Sequence, residues 1–247
     1  MLRSLSEMRG YSILATDGHI GKAHDFLFDS LTWTLRYLVV KTGPWLLERR
    51  VLISPVALGD PDWTKREFPV NLTRDQVKSA PEIDLDKPVS LQRQVDLHTH
   101  HRWPLYMPAP LVGGGGVPPA APVIPMGEPE SQEKVKERGD PDLRSHREVT
   151  GYHISAIDGE IGHVEDFIAD DSQWCLRHMV IDTRNWLPGR KVLIPTDWVE
   201  DVDWEERTVH VSLDRETIRS SPEFDPSLPV SPEHDKQLRD HCGRSQG

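Results

Sequence analysis

Cysteine is almost missing: Cys175 and Cys242 are the only two in 247 residues. They are too few for a disulfide framework, and neither has a CxxC partner or a histidine at ligand spacing. Long apolar runs are also missing, and none approaches the ~18 residues of a membrane-crossing helix. The opening Met1-Leu2-Arg3-Ser4 has no apolar signal core. These shortages predict a soluble chain in a reducing, cytoplasmic compartment, without membrane insertion. Apolar residues make up 36% and charged ones 28%, which suits small domains with a high surface-to-volume ratio. Positive charge is scarce where it would matter most. Net charge is −11, and it is unevenly placed. Residues 1–95 carry thirteen Lys and Arg against twelve Asp and Glu, residues 96–142 four against seven, and residues 143–247 twelve against twenty-one. Phosphate backbones are held by clustered cations. The second half would repel nucleic acid and the first offers no basic stripe, so nucleic acid is not expected as a partner.

What the chain does have is internal repetition. Leu2-Arg3-Ser4 recurs as Leu143-Arg144-Ser145, and the offset of 141 holds without a gap as far as Ser90 and Ser231. About 40 of roughly 89 aligned positions are identical, which marks a duplicated domain. Gly10-Tyr11, Asp17-Gly18, Gly21, Asp25-Phe26, Trp33, Trp45-Leu46, Val51-Leu52-Ile53 and Asp62-Trp63 all return one offset later. Between the copies runs Pro108-Ala109-Pro110, Gly113 to Gly116 and Pro118-Pro119, then a charged stretch from Glu128 to Asp142. Such sequence does not bury enough apolar surface to offset its ordering entropy. The expected organisation is a first repeat at 1–95, a disordered linker at 96–142, a second repeat at 143–235 and a disordered tail at 236–247. The tether would let the repeats move independently or meet face to face.

Each repeat reads as short strands. Tyr11 to Ala15 is an apolar run, and the following Thr16-Asp17-Gly18 is a strong hairpin signal. Gly21 suits a bulge or a close backbone approach. Leu35 to Val40 and Val51 to Ile53 are strand-like, and Glu67 to Leu72 follows a turn at Asp60 to Trp63. Thr73-Arg74-Asp75-Gln76 has capping-box spacing and predicts a short helix near Val77, with Asp214 the matching cap and Pro222 the stop in the second copy. Five or six strands and one helical turn in about 90 residues predict a small barrel, which removes sheet edges by closure.

These motifs carry a family resemblance. Gly-Tyr, Asp-Gly-x-Ile-Gly, Asp-Phe, Trp-x-Leu-Arg-x-x-Val and Trp-Leu-x-x-Arg-x-Val-Leu-Ile, present in both copies, resemble the PRC-barrel family over about 180 residues. The resemblance implies an all-β chain of two six-stranded barrels, each with a short helix. The family is known from the cytoplasmic domain of the photosynthetic reaction-centre H subunit and from the C-terminal domain of a ribosome-maturation factor. This chain lacks the transmembrane helix of the first and the additional N-terminal domain of the second, and resembles the stand-alone bacterial members more closely. In both settings the barrel is a docking module, which implies a non-enzymatic interaction protein. The alternative it implies is an H-subunit-like accessory, docked peripherally on a membrane complex and supporting electron transfer and proton uptake.

Candidate sites are few. The loops Trp45-Leu46 to Arg49 and Trp186-Leu187 to Arg190 repeat the two side chains most enriched at binding hot spots, so these six residues are the candidate partner-binding set. The competing reading is a Trp that plugs its own barrel and an Arg paired to a carboxylate. Trp33, Trp174, Trp63 and Trp204 read as rim packing. Asp25, Asp29, Glu165, Asp166, Asp170 and Asp171 could serve acid/base chemistry or a divalent cation, but solvated alternation and Asx-turn bonding account for them. His98, His100 and His101 sit in the expected linker, where nothing would orient the rings for a metal. Gly113 to Gly116 lacks the Lys-Ser/Thr of a phosphate cradle. The residues predict no cofactor, no metal and no catalytic group. The partner protein stays open, as do packing of repeat on repeat and homo-oligomerisation.

Overall fold

The computed structural model describes residues 1–81, 89–104, 140–183, 190–225, 230, 236–238 and 240. The chain is mostly β, with one mixed sheet of thirteen strands. In the first half these are β1 (Leu2–Ser4), β2 (Ser12–Ala15), β3 (Gly18–Asp29), β4 (Thr34–Thr42), β5 (Arg50–Ile53) and β6 (Glu67–Pro69), with helices α1 (Leu5–Met8), α2 (Arg74–Ser79) and α3 (Leu91–His101). The second half holds β7 (Leu143–Ser145), helix α4 (His146–Val149), β8 (His153–Ala156), β9 (Gly159–Asp170), β10 (Cys175–Asp182), β11 (Lys191–Pro195), β12 (Val199–Asp203), β13 (Thr208–Val211) and helix α5 (Arg215–Ser220).

Local sequence explains the elements. β2 and β3 form the expected hairpin, with Ala15 opposite Gly18. Gly21 is there because β4 passes over it: a Cβ would lie 2.1 Å from the Lys41 carbonyl oxygen. At α2 the full capping box forms, the Thr73 hydroxyl accepting from the Gln76 N–H while the Gln76 side chain accepts from the Thr73 N–H. Asp214 caps α5, its carboxylate accepting from the Thr217 N–H at 2.6 Å. β4 is buried over nearly its whole length because both of its faces are covered. One packs into the main core. The other carries a smaller cluster of Leu27, Tyr37, Val39 and Leu52, closed by Val89 and Leu97.

The halves do not behave as two beads on a string. β1 pairs antiparallel with β9 of the second half, Ser4 opposite Ile168, while β7 pairs with β3 of the first half, Ser145 opposite Leu27. Each repeat thus lends its N-terminal strand to the other. A direct junction completes the seam: Thr34 of β4 lies opposite Cys175 of β10. The Leu35 N–H donates to the Trp174 carbonyl and the Leu176 N–H to the Trp33 carbonyl, each at 2.7 Å. Both tryptophans adopt left-handed backbone, φ 54° and 52°, which is costly for a bulky residue and here coincides with carbonyls bonded across the seam. One hydrophobic core contains residues of both halves. Phe28 meets Phe167 at 5.5 Å, Trp33 meets Phe167 at 5.9 Å, and Phe68 meets Trp174 at 6.0 Å.

Three boundaries differ from expectation. The expected linker begins at 96, but α3 runs through to His101, and Trp103 packs against both cores. The helix escapes pattern reading because its buried face holds Gln94, Leu97 and His98, while Leu91 and Val95 face solvent. At the other end, Asp140 to Ser145 is ordered against the first repeat, the Asp140 N–H donating to the Val89 carbonyl at 2.8 Å and the Ser30 N–H to that of Asp142. The expected tail begins at 236, yet 236–238 are helical and Leu238 is fully buried, 141 residues after the equally buried Leu97. Residues 105–139 and 241–247 lie outside the described residues.

Candidate functional site

The carboxylates singled out in the sequence organise the seam. Asp166 lies on β9, beneath the strand and helix lent by the first repeat. It accepts from the Ser4 hydroxyl and from the Ser6 N–H at 3.1 Å, and it meets His146 Nε2 at 2.9 Å and its neighbour's N–H, Phe167, at 2.8 Å. Asp25 does the same for the second repeat, accepting from the Ser145 hydroxyl at 2.6 Å and the Arg147 N–H at 3.3 Å. Each therefore caps the other repeat's short helix, where an anion is favoured. Burial pushes the Asp166 carboxyl up, but His146 and the Ser4 hydroxyl beside it hold it below its ordinary value. The sequence pattern reads as a solvated pair, whereas both are buried. The signal lay in the repeat itself, since Ser4 and Asp25 both return at the same offset. Asp29 and Asp170 do show turn bonding: Asp29 accepts from the N–H groups of Leu31 and Thr32, and Asp170 from that of Ser172.

A second polar cluster lies in the first repeat. Arg36 Nη1 pairs with Asp29 at 3.2 Å and its Nη2 donates to Gln94 Oε1 at 2.8 Å. Gln94 Nε2 donates to Asp140 at 2.8 Å. The Tyr37 hydroxyl lies 3.2 Å from Gln94 Oε1 and 2.8 Å from His98 Nε2, and His98 Nδ1 lies 2.7 Å from the Pro104 carbonyl. Burial raises the Tyr37 hydroxyl to about 12 and lowers His98. The network fastens α3 and the Asp140 segment to β4.

The histidine cluster is thereby divided. His98 is buried with both ring nitrogens engaged, whereas His100 lies 3.3 Å from the Ser79 hydroxyl. His101 stacks on Trp103 at 4.3 Å, and burial, with His100 and His98 nearby, lowers its pKa to about 4. No group of three or more metal-ligating side chains occurs among the described residues.

A cavity of about 340 Å³ opens at the seam, between the start of β4 with Arg36, the Pro55-Val56 turn, His98 and Pro104 of the first half, and Ser172 to Trp174 of the second. Its charged wall residue, Arg36, already faces Asp29 and Gln94. The rest of the wall mixes apolar Leu35, Val56 and Trp174 with polar Ser54, Ser172 and Gln173.

Of the candidate partner-binding residues, Trp45 donates its indole N–H to the Ile20 carbonyl at 2.6 Å, under the Arg74 guanidinium at 4.3 Å. Leu46 is in the core. Arg49 closes the loop through its backbone, its N–H donating to Leu46 and its carbonyl accepting from Thr42. The loop tip presented to solvent is Leu47, 88% exposed, with Glu48 beside it. Arg190 donates to the Ser221 carbonyl at 2.7 Å, and Trp186 and Leu187 lie outside the described residues. Trp33 stacks on Phe28 at 5.5 Å, while Trp63 and Trp204 carry the guanidinium groups of Arg3 and Arg144 at 4.2 and 4.0 Å. Among the described residues no helix is long and apolar enough to cross a membrane. No protein-family model and no curated protein matches the chain.

Proposed function

We propose that this chain is a non-enzymatic docking protein, built from two PRC-type barrels locked into one body, and that its first repeat is the face it shows to a protein partner. One observation carries the reading. Among the described residues of the first half, Met1, Leu31, Leu47, Val56, Leu91 and Val95 are large apolar side chains open to solvent, against Ile157 alone in the second half. At two of the same offsets the second repeat has Ser172 for Leu31 and Asp197 for Val56. Exposed apolar side chains more frequent on one of two homologous units support a surface kept for association, while the acidic unit stays solvated. The buried carboxylates support the same reading, since Asp25 and Asp166 are occupied in holding the repeats together.

The test is affinity capture with the tagged full-length chain, followed by mass spectrometry at low and moderate salt. Capture with a Leu47→Asp/Val56→Asp variant should lose the recurrent partner, and capture with Ile157→Asp should keep it. Equal capture by all three chains refutes the assignment to the first repeat. Turnover of any substrate lost on Asp166→Asn but not on Leu47→Asp would overturn the non-enzymatic reading. A reaction-centre complex as the recurrent partner would favour the H-subunit-like alternative.

A further inference from the structure

We propose that the strand exchange seen within one chain also closes between two chains, so that this protein's second interaction surface is the seam itself and its partner there is another copy. The inference is independent of the docking function above. A repeat deprived of its partner uncovers the Phe28, Trp33, Phe167 and Trp174 cluster and leaves Asp25 or Asp166 without the helix it caps. The surface that satisfies those groups must bring a Leu-Arg-Ser strand in antiparallel register, a serine hydroxyl two residues before a free N–H, and an apolar helix turn. Only another repeat of the same kind supplies all three. Leu2-Arg3-Ser4 and Leu143-Arg144-Ser145 are identical, so the first repeat of one chain meets the same contacts on the second repeat of another as it meets on its own.

Two features permit the crossing. The lent elements join their own repeats at Gly10 and Gly151, whose backbones have φ of +85° and +95°, and a Cβ at either position would have no atom within 4 Å. Glycine adopts this left-handed backbone at no steric cost. The connection between the repeats is also longer than the monomer needs. Pro104 and Asp140 both bond to α3, at His98 and at Gln94, about one helical turn apart. The intervening 105–139 could reach roughly 120 Å if extended. Closing within the chain needs only a small part of that length.

Because the contacts are the same either way, the partition is set by concentration. Tethered modules meet at an effective concentration of about a millimolar, so the ratio of exchanged dimer to monomer should rise in proportion to chain concentration during refolding and approach parity near that value. The test uses full-length chains with Cys175→Ser and Cys242→Ser, one carrying Arg3→Cys and the other Ala169→Cys, since Arg3 lies opposite Ala169 in the β1–β9 register. The two chains are refolded together at about 1 and about 200 micromolar and then oxidised. An inter-chain disulfide that grows about a hundredfold relative to monomer over that range is expected. A chain carrying both cysteines must form the bond internally at low concentration, which shows that the variants fold. Deleting 110–134 leaves enough chain for internal closure and should reduce the inter-chain bond at least tenfold. Monomer at both concentrations, or a dimer without the 3–169 bond, overturns the proposal.

Discussion

Asp166→Ala is the most telling single change available in this fold. The carboxylate lies 8% exposed and receives the Ser4 hydroxyl, the Ser6 N–H, His146 and the Phe167 N–H. Its removal strands two groups lent by the first repeat and one imidazole. Each buried group left unsatisfied costs about 1–3 kcal/mol, and three are left. Some relaxation toward water is available to Ser6, so about 4 kcal/mol is expected overall. With a urea m-value of about 2–3 kcal/mol/M for a body of this size, the midpoint should fall by roughly 1.5 M. Ser4→Ala alone should cost about 1 kcal/mol. The decisive quantity is the coupling. Ser4 and Asp166 stand 162 residues apart and in different repeats, yet the double variant should show about 1 kcal/mol or more of non-additivity. Full additivity, or a denaturation curve that splits into two transitions with Asp166→Ala moving only one, would refute the exchanged arrangement.

Other expectations follow from the same contacts. Gly21→Ala should cost several kcal/mol in thermal or chemical denaturation, because its Cβ would meet the Lys41 carbonyl at 2.1 Å. Gly10→Ala meets no atom and should cost only the penalty of left-handed backbone, about 1 kcal/mol. Leu238→Ala should lose about 2–5 kcal/mol, the cost of a docked core side chain, and a cost under about 0.5 kcal/mol would show that the segment is not packed. The docking of α3 should weaken in acid. Burial lowers His98 and lowers His101 to about 4, so both are neutral in the fold while the unfolded segment takes up protons below about 6.5. Stability is therefore greatest above about pH 6.5 and falls between there and about pH 4, read as a change in Trp103 fluorescence that Trp103→Phe abolishes. The opposite trend, tighter docking toward acid, would contradict the burial of His98.

Much of this fold was legible in the residues, and the parts that were not share a cause. The hairpin at Asp17-Gly18, the close approach at Gly21 and the caps at Thr73 and Asp214 are local chemistry, readable within four or five residues. The repeat is readable because identity at a fixed offset needs no knowledge of contacts. What local pattern does not carry is which copy a strand joins. By local pattern β1 suits β3 or β9, since their Asp-Phe segments match, and it pairs with β9. The role of Asp25 and Asp166 was hidden for that reason: their partners are far away and polar. Helix α3 was hidden by inversion, since Gln94 and His98 face inward to reach Arg36 and Tyr37 while Leu91 and Val95 face out. At the Trp45 loop, the inward Leu46 and the outward Leu47 are neighbours, and composition does not tell them apart.

Joining two copies in one chain removes a constraint that a symmetric dimer obeys. In an isologous pair every residue near the axis occurs twice, so any substitution there is made on both sides. Here Phe28 fills the seam against Phe167 and Trp33, and the matching position across it is the fully buried Ala169, which balances one large side chain with one small one. The same freedom lets the two repeats differ in their polar contacts. Arg36 and Tyr37 reach Gln94, His98 and Asp140, whereas the second repeat keeps Arg177 but has His178 in place of Tyr37. Arg177 is left 39% exposed, 3.9 Å from Asp170. The first repeat thus holds a fastened helix and several exposed apolar side chains, and the second carries most of the net charge. In identical subunits the same exposed side chains would necessarily occur twice. Under the docking role proposed above, placing them once, on a body whose other half is acidic, would leave one surface for a partner while the net charge keeps the chain dispersed.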